Sequence, residues 1–129
     1  MSTFQSFEEL EVWQKARQLC RENYRISKQH AFSHDFVLRD QIRKASVSIL
    51  CNISEGFERS GSREFLQFLS IAKGSAGEIR SQLCIALDQG YIDEDTYFQL
   101  SALASEVGRM LGGMINYLRK STIRGSKYK

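Results

Sequence analysis

Two carboxylates stand where a helical protein could put them to work. Glu55 and Glu78 fall beside apolar seams, and inward carboxylates build di-iron centres in helical bundles. Those centres also use a histidine three residues after a glutamate, and neither position has one. His30 and His34 are four apart, the spacing of a metal pair on a helix, but they straddle an expected connection. Only Asp35 is near as a third ligand, and a zinc site needs three or four. They read better as exposed loop histidines. Cys20, Cys51 and Cys84 form no CxxC pair, so zinc and dithiol chemistry have no motif here. Neither a GxxxxGK[ST] nor a GxGxxG is present, which removes the usual phosphate loops. There is no GxSxG elbow either. No catalytic residue, no cofactor and no metal is therefore expected. Asn52, Glu55 and Glu78 are assigned to a structural polar network within the bundle or across a subunit boundary, because buried polar groups seek partners. Cys20 and Cys84 are assigned to the core, where cysteine is often buried.

The basic residues offer the remaining chemistry. Arg39, Arg43 and Lys44 occupy adjacent helical turns, and Arg59 and Arg63 flank a later connection. From Arg119 onward come Lys120, Arg124, Lys127 and Lys129, with no acid between them. Cations grouped in this way, with Tyr117 and Tyr128 nearby, can hold a phosphate backbone by charge and occasional stacking. The competing reading is a solvated surface with i,i+4 pairing. The net charge is only +3, mild for a dedicated nucleic-acid-binding domain.

The elements that must carry these residues follow from periodicity. The chain has 129 residues and no proline, which suits one domain of long helices with brief connections. Ser6 and Glu9 have capping-box spacing, and Leu10, Trp13, Ala16, Cys20 and Tyr24 then recur on one face of a helix expected over 6–28. A second helix, 34–58, is expected to be capped by Ser33. Its main stripe is Leu38, Ile42, Ala45, Ile49 and Ile53, with a second through Phe36, Arg43, Val47, Leu50 and Phe57. The third, 62–89, carries Phe65, Leu69, Ala72, Ala76, Ile79, Leu83 and Ala86. These alternate steps of four and three, the seam of a left-handed bundle. Gly90 should take a left-handed conformation after it. Asp93 should cap the fourth helix, 93–120, whose seam is Tyr97, Leu100, Ala104, Val107, Leu111, Met114 and Leu118. Short connections make sequential helices antiparallel neighbours. The expected fold is therefore all-α, an antiparallel up-down-up-down four-helix bundle over 1–121, with a basic, disordered tail at 122–129.

Apolar residues exceed what one core needs. Phe68, Ile71 and Ile85 lie off the third seam, and Leu103, Met110 and Ile115 off the fourth. Surplus apolar surface usually marks an interface. Gly74, Gly77, Gly108 and Gly112 each cost roughly 1 kcal/mol in a helix interior, which close approach of another helix would offset. Packing within one subunit is the alternative. Phe68, Ile71, Gly74, Gly77, Gly108 and Gly112 are thus candidate interface residues. No apolar run is long enough to cross a bilayer. The start lacks the pattern of a signal peptide, and three widely spaced cysteines suit a reducing compartment. A cytoplasmic location with no membrane partner is expected.

Several segments together carry a resemblance. They are Leu10-Glu-Val-Trp-Gln-Lys-Ala16; Gln41-Ile-Arg-Lys-Ala-Ser-Val-Ser-Ile49 with Asn52-Ile-Ser-Glu-Gly56; and Glu64-Phe-Leu-Gln-Phe-Leu69 with Ile71-Ala-Lys-Gly-Ser75 and Glu78. From about Phe7 to Leu118 the chain resembles the four-helix-bundle proteins encoded in intervening sequences of bacterial 23S ribosomal RNA genes. The resemblance implies a ring, a homopentamer. That family is similar to the accessory protein of diversity-generating retroelements, a basic pentamer thought to bind nucleic acid and its reverse transcriptase. A nucleic-acid enzyme is therefore an implied partner. This chain departs from the family pattern at Phe32-Ser33 and Leu50-Cys51, where proline is common, and at Ser54, where alanine is usual. The function expected is a non-catalytic homo-oligomer binding RNA or DNA through basic surface residues. A protein-interaction scaffold with no nucleic-acid role is the alternative.

Overall fold

The computed structural model describes residues 4–59 and 61–127, and for 122–127 the backbone alone. All regular structure among the described residues is helical. A 3-10 turn, Phe7–Glu9, precedes α1 (Glu11–Ser27). The helices that follow are α2 (His30–His34), α3 (Phe36–Glu58), α4 (Ser62–Asp88) and α5 (Glu94–Lys127). The long helices form a bundle. α1 packs on α3 and α5, and α4 packs on α3 and α5. α1 and α4 are therefore diagonal to one another.

The beginning differs from the expected single helix over 6–28. The Glu9 carboxylate accepts from the backbone N–H of Ser6 at 2.9 Å and of Gln5 at 2.8 Å. It thereby closes a separate turn, and Leu10 is extended before α1 starts. The inward stripe is also shifted. Val12, Ala16, Leu19, Asn23 and Ile26 are buried, whereas Trp13, Cys20 and Tyr24 are only partly covered. Polar Asn23 hid this stripe from an apolar count.

The first connection holds another correction. Residues 30–34 make a helix of their own, since neither proline nor glycine interrupts them. The cap of the next helix is Asp35, not Ser33. Asp35 Oδ1 accepts from the Leu38 N–H at 3.1 Å, and its Oδ2 accepts from the Tyr91 hydroxyl at 2.9 Å. That bond pushes the Tyr91 hydroxyl above its ordinary pKa. It also ties the start of α3 to the turn before α5, where Phe32 stacks on the Tyr91 ring.

The main seams of α3, α4 and α5 are buried from Leu38 to Ile53, from Leu69 to Ala86 and from Leu100 to Leu111, with Ile115 beyond. Phe65, Tyr97, Met114 and Leu118 pack partly buried at their ends. Gly56 does not end α3, which runs two residues further. It is buried where α3 meets α4. A β-carbon there would lie 2.8 Å from Phe65 Cδ1 and 2.9 Å from Phe68 Cβ. Only hydrogen fits between these helices. Gly90 has φ of 74°, the left-handed conformation that closes α4. Asp93 Oδ1 accepts from the Thr96 N–H at 2.8 Å, and this holds its carboxyl below the usual aspartate range. α5 continues to Lys127, past the expected end near 120. The backbone of 122–127 is helical, and residues 128–129 of the expected tail lie outside the described residues.

A polar layer crosses the otherwise aliphatic interior. Asn23 Nδ2 donates to Ser46 Oγ at 2.9 Å, and Ser46 donates to the Ile42 carbonyl at 2.8 Å. Ser75 Oγ donates to Ser48 Oγ at 2.9 Å. Asn52 Nδ2 donates to the Ser48 carbonyl at 2.8 Å and to its hydroxyl at 3.1 Å. This layer differs from the network expected of Asn52, Glu55 and Glu78. Glu55 and Glu78 are exposed, and Glu55 pairs with Arg59 at 3.0 Å.

Candidate functional site

The Arg39–Lys44 group, expected to meet phosphate, is largely taken up by its own fold. Arg39 donates to Asp40 at 2.9 Å and to the Ser33 carbonyl at 3.1 Å, with its guanidinium 4.8 Å from the Phe36 ring centre. Arg43 donates to Ser27 Oγ at 2.8 Å and covers the Tyr24 ring at 4.9 Å. Arg59 is held by Glu55 at 3.0 Å, by Glu64 at 3.9 Å and over the Phe68 ring at 5.4 Å. Lys44, Arg63, Arg119 and Lys120 are exposed. No carboxylate lies within ion-pair distance of these four among the described residues. The side chains of Arg124 and Lys127 lie outside the described residues, as does Lys129.

The structure gathers a different set of cations. Between α4 and α5 runs a trough made of two adjoining hollows, of about 430 and 440 Å³, which share Lys73 and Gly112. Gly74, Gly77, Gly108 and Gly112 form its floor, and Lys73, Arg80, Arg109 and Arg119 stand along it. Ser70, Ser105 and Asn116 add neutral hydrogen-bonding groups. No carboxylate lines either hollow. A β-carbon at Gly74, Gly77 or Gly108 would touch nothing within 4 Å. One at Gly112 would meet Lys73 Cε at 3.4 Å. The glycines proposed for an interface are thus open ground within one subunit, and Lys73 lies across the last of them. Of the other interface candidates, Ile71 is exposed and Phe68 is half-covered beneath Arg59.

Sequence reasoning missed Lys73, Arg80 and Arg109 because they sit on two helices distant in the chain. Lys73 and Arg80 are seven apart, so they share a face of α4. Only the packing of α4 on α5 brings Arg109 opposite.

Nothing in the interior resembles a reaction centre. Among the described residues no three His, Cys, Asp or Glu side chains group as a metal would require. His34 Nδ1 lies 3.0 Å from the His30 carbonyl, on the short helix α2. Cys51 and Cys84 are exposed and Cys20 is half-covered, which corrects the core placement of Cys20 and Cys84. Each lies off its helix's buried stripe. Burial, and after it the neighbouring Cys51, push the Cys20 thiol above its ordinary pKa. The Cys84 sulfur lies 3.2 Å from the Tyr97 hydroxyl, and this contact raises the tyrosine. A hollow of about 540 Å³ along the C-terminal half of α5 is apolar. Phe57, Phe65, Met110, Met114 and Leu118 line it, and Glu11 is its sole charged group. No described helix is long and apolar enough to cross a membrane.

Fold and surface therefore define an all-helical bundle protein with a cation-lined trough and no convergent set of reactive groups among its described residues. The chain belongs to the 23S rRNA-intervening sequence protein family, whose profile matches residues 8–113. Among solved structures it is similar to a protein of unknown function from the S23 ribosomal protein family of Bacteroides thetaiotaomicron. Identity is 23%, the TM-score is 0.74, and the match covers 81% of this chain and 97% of that one. That likeness concerns the fold. No curated protein matches the chain.

Proposed function

We propose that the protein is a non-catalytic, cytoplasmic, homo-oligomeric helical bundle that binds RNA or DNA through the basic α4–α5 trough. The observation that carries this reading is the trough itself, with four cations, a glycine floor and no carboxylate in its lining. A phosphate backbone needs positive charge that is not already neutralised, and room to approach it. Lys73, Arg80, Arg109 and Arg119 offer both, whereas Arg39 and Arg59 are paired with carboxylates and Arg43, though unneutralised, is held against Ser27 and the Tyr24 ring. Such contacts position a backbone without reading sequence.

The proposal includes an up-down-up-down arrangement of the four long helices. Its support is that contacts join late residues of one helix to residues in the first half of the next: Ser27 to Arg43, Gly56 to Phe65, Cys84 to Tyr97. Assembly into a pentameric ring is proposed on the family resemblance. Phe36, Val37, Ile71, Ile85 and Phe98 are exposed on one subunit and supply surface that assembly would cover.

The test is salt-dependent binding of an oligonucleotide. A single strand loses affinity with a log–log slope of about −0.7 per neutralised phosphate, so four contacts give roughly −3. Replacing Lys73 and Arg109 by alanine should flatten that slope by about 1.4 and weaken all sequences alike. Salt-independent binding, or none at low salt, would refute the proposal.

A second reading is a protein-interaction scaffold, favoured by the apolar hollow beside α5. It expects a specific protein to co-purify after nuclease treatment and to be lost when Met114 becomes glutamate. A clean pull-down would count against it.

A further inference from the structure

A second groove lies across the bundle from the first. α1 carries Arg17, Arg21 and Arg25, and its C-cap is Lys28, in steps of four, four and three. At 100° per residue they fall within about 80° of one helix face, and at 1.5 Å per residue they span about 17 Å. They line a hollow of about 440 Å³ whose other wall includes Leu50 of α3, and again no carboxylate lines it. Arg25 is paired with Glu22 at 2.7 Å, and Arg17 lies 5.9 Å from the Trp13 ring centre. Arg21, Lys28 and Arg17 have no ion-pair partner among the described residues. Arg43, bound to Ser27 and lying over Tyr24 at 4.9 Å, adds its charge at the same rim.

The position of this groove gives it meaning. α1 and α4 are diagonal, each packing on α3 and α5. The α1–α3 groove and the α4–α5 trough therefore face away from each other. The α1–α5 side between them is mixed in charge, with Lys15 paired to Glu106 at 3.6 Å and Glu22 in the lining. Two cationic faces thus stand on opposite sides of one subunit, separated by a face that neutralises itself.

We infer that each protomer binds two nucleic-acid strands at once, one in the α4–α5 trough and one along α1. The proposal rests on the nucleic-acid reading above and extends it: the subunit joins two segments of sugar–phosphate backbone rather than coating one. Neither groove presents a stacked array of free aromatic rings, since the Tyr24 ring is already covered by Arg43. Charge therefore sets the affinity, and the strands are held by their phosphates. A second strand is held off the first by the width of the bundle, so one need not displace the other.

The test counts strands per protomer, which does not depend on how many protomers assemble. Octanucleotides of DNA and of RNA, identical in sequence, are titrated separately into the full chain at low salt, and the saturating ratio is read by analytical ultracentrifugation. The two arms identify which sugar the grooves take. Two strands per protomer are expected. The triple variant Arg17→Gln, Arg21→Gln, Lys28→Gln should saturate at one. So should Lys73→Gln, Arg80→Gln, Arg109→Gln, while the six-fold variant should bind none. All six positions are solvent-facing or nearly so, and far-UV circular dichroism checks that the helices persist. Restoring lysine at the three α1 positions should return the second strand. A wild-type ratio of one, abolished by the α4–α5 variant alone, would overturn the two-strand inference and leave the proposed function standing. A ratio of two that survives the α1 variant would also overturn it. No binding by the wild type would overturn both.

Discussion

Two glycines on neighbouring helices should respond to alanine in opposite directions. Gly77 lies in the interior of α4, and a β-carbon there meets nothing within 4 Å. Alanine at that position removes conformational freedom from the unfolded chain and should stabilise the protein by about 0.5–1 kcal/mol. Gly56 gains the same propensity term. However, its β-carbon would sit 2.8 Å from Phe65 Cδ1 and 2.9 Å from Phe68 Cβ. The aromatic edge of Phe65 can rotate slightly, but Phe68 Cβ is fixed to the α4 backbone, so the helices must separate. Overpacking of this kind costs about 1–3 kcal/mol. The net expectation for Gly56→Ala is a loss of about 1–2 kcal/mol. The two variants should therefore differ by roughly 2 kcal/mol, or about 1 M in urea midpoint at a slope near 2 kcal/mol per molar. Equilibrium urea unfolding followed by circular dichroism, at one protein concentration, measures this. Stabilisation by both substitutions would refute the close-approach argument at Gly56. Destabilisation by both would show that another helix covers Gly77 in the assembled protein.

The other expectations concern titration and thiols. The Asp93 carboxylate is held below the ordinary aspartate pKa by the Thr96 N–H. Its stabilising contribution is complete above the unfolded value of about 3.9 and is lost as pH falls through the lower folded value. Asp93→Ala should lower the melting temperature at neutral pH. The gap from wild type should close in acid, and a gap independent of pH would contradict the capping role. Of the three thiols, exposed Cys51 and Cys84 should react quickly with an aromatic disulfide. Cys20, half-covered and raised by burial, should lag behind both. Three equal rates would argue that α1 does not pack on α3 as described.

How much of this was legible depended on how local each signal was. The seams of α3, α4 and α5 repeat in apolar residues alone, and periodicity marks them. The inward face of α1 contains Asn23, and an apolar count passed over it in favour of Trp13 and Tyr24. Asp35 was visible as an acid near a helix start, but its bond to Tyr91 spans 56 residues. The capping bond itself is local, from the Leu38 N–H to Asp35 Oδ1; the Tyr91 contact adds a tertiary tie that Ser33 lacks. The basic residues are a related case. A list of arginines does not reveal which are already occupied, and Arg39, Arg43 and Arg59 all are. The α1 cations were passed over although their spacing in the sequence places four on one face, whereas the α4–α5 trough needed the tertiary packing. The Asn52–Gly56 segment was recognisable in sequence, but the reason for its glycine is the contact with Phe65 and Phe68.

The polar layer has a further consequence, for alignment along the bundle axis. The α4 seam alternates steps of four and three, and the α3 seam does so up to Ile49, so sliding one helix past the other by seven residues would again match much apolar with apolar. Hydrophobic burial alone distinguishes such slipped arrangements weakly. Asn23 opposite Ser46 and Ser75 opposite Ser48 act as indexing pins. A seven-residue slip would take Asn23, 0% exposed, away from Ser46 and break the bond its amide N–H makes there. An unpartnered buried amide N–H costs about 1–3 kcal/mol, a penalty that the bond to Ser46 Oγ removes in the native alignment, although Asn23 Oδ1 finds no protein partner there. The grooves on opposite faces depend on that alignment, because a cation displaced by two turns would no longer stand opposite its counterparts on the neighbouring helix.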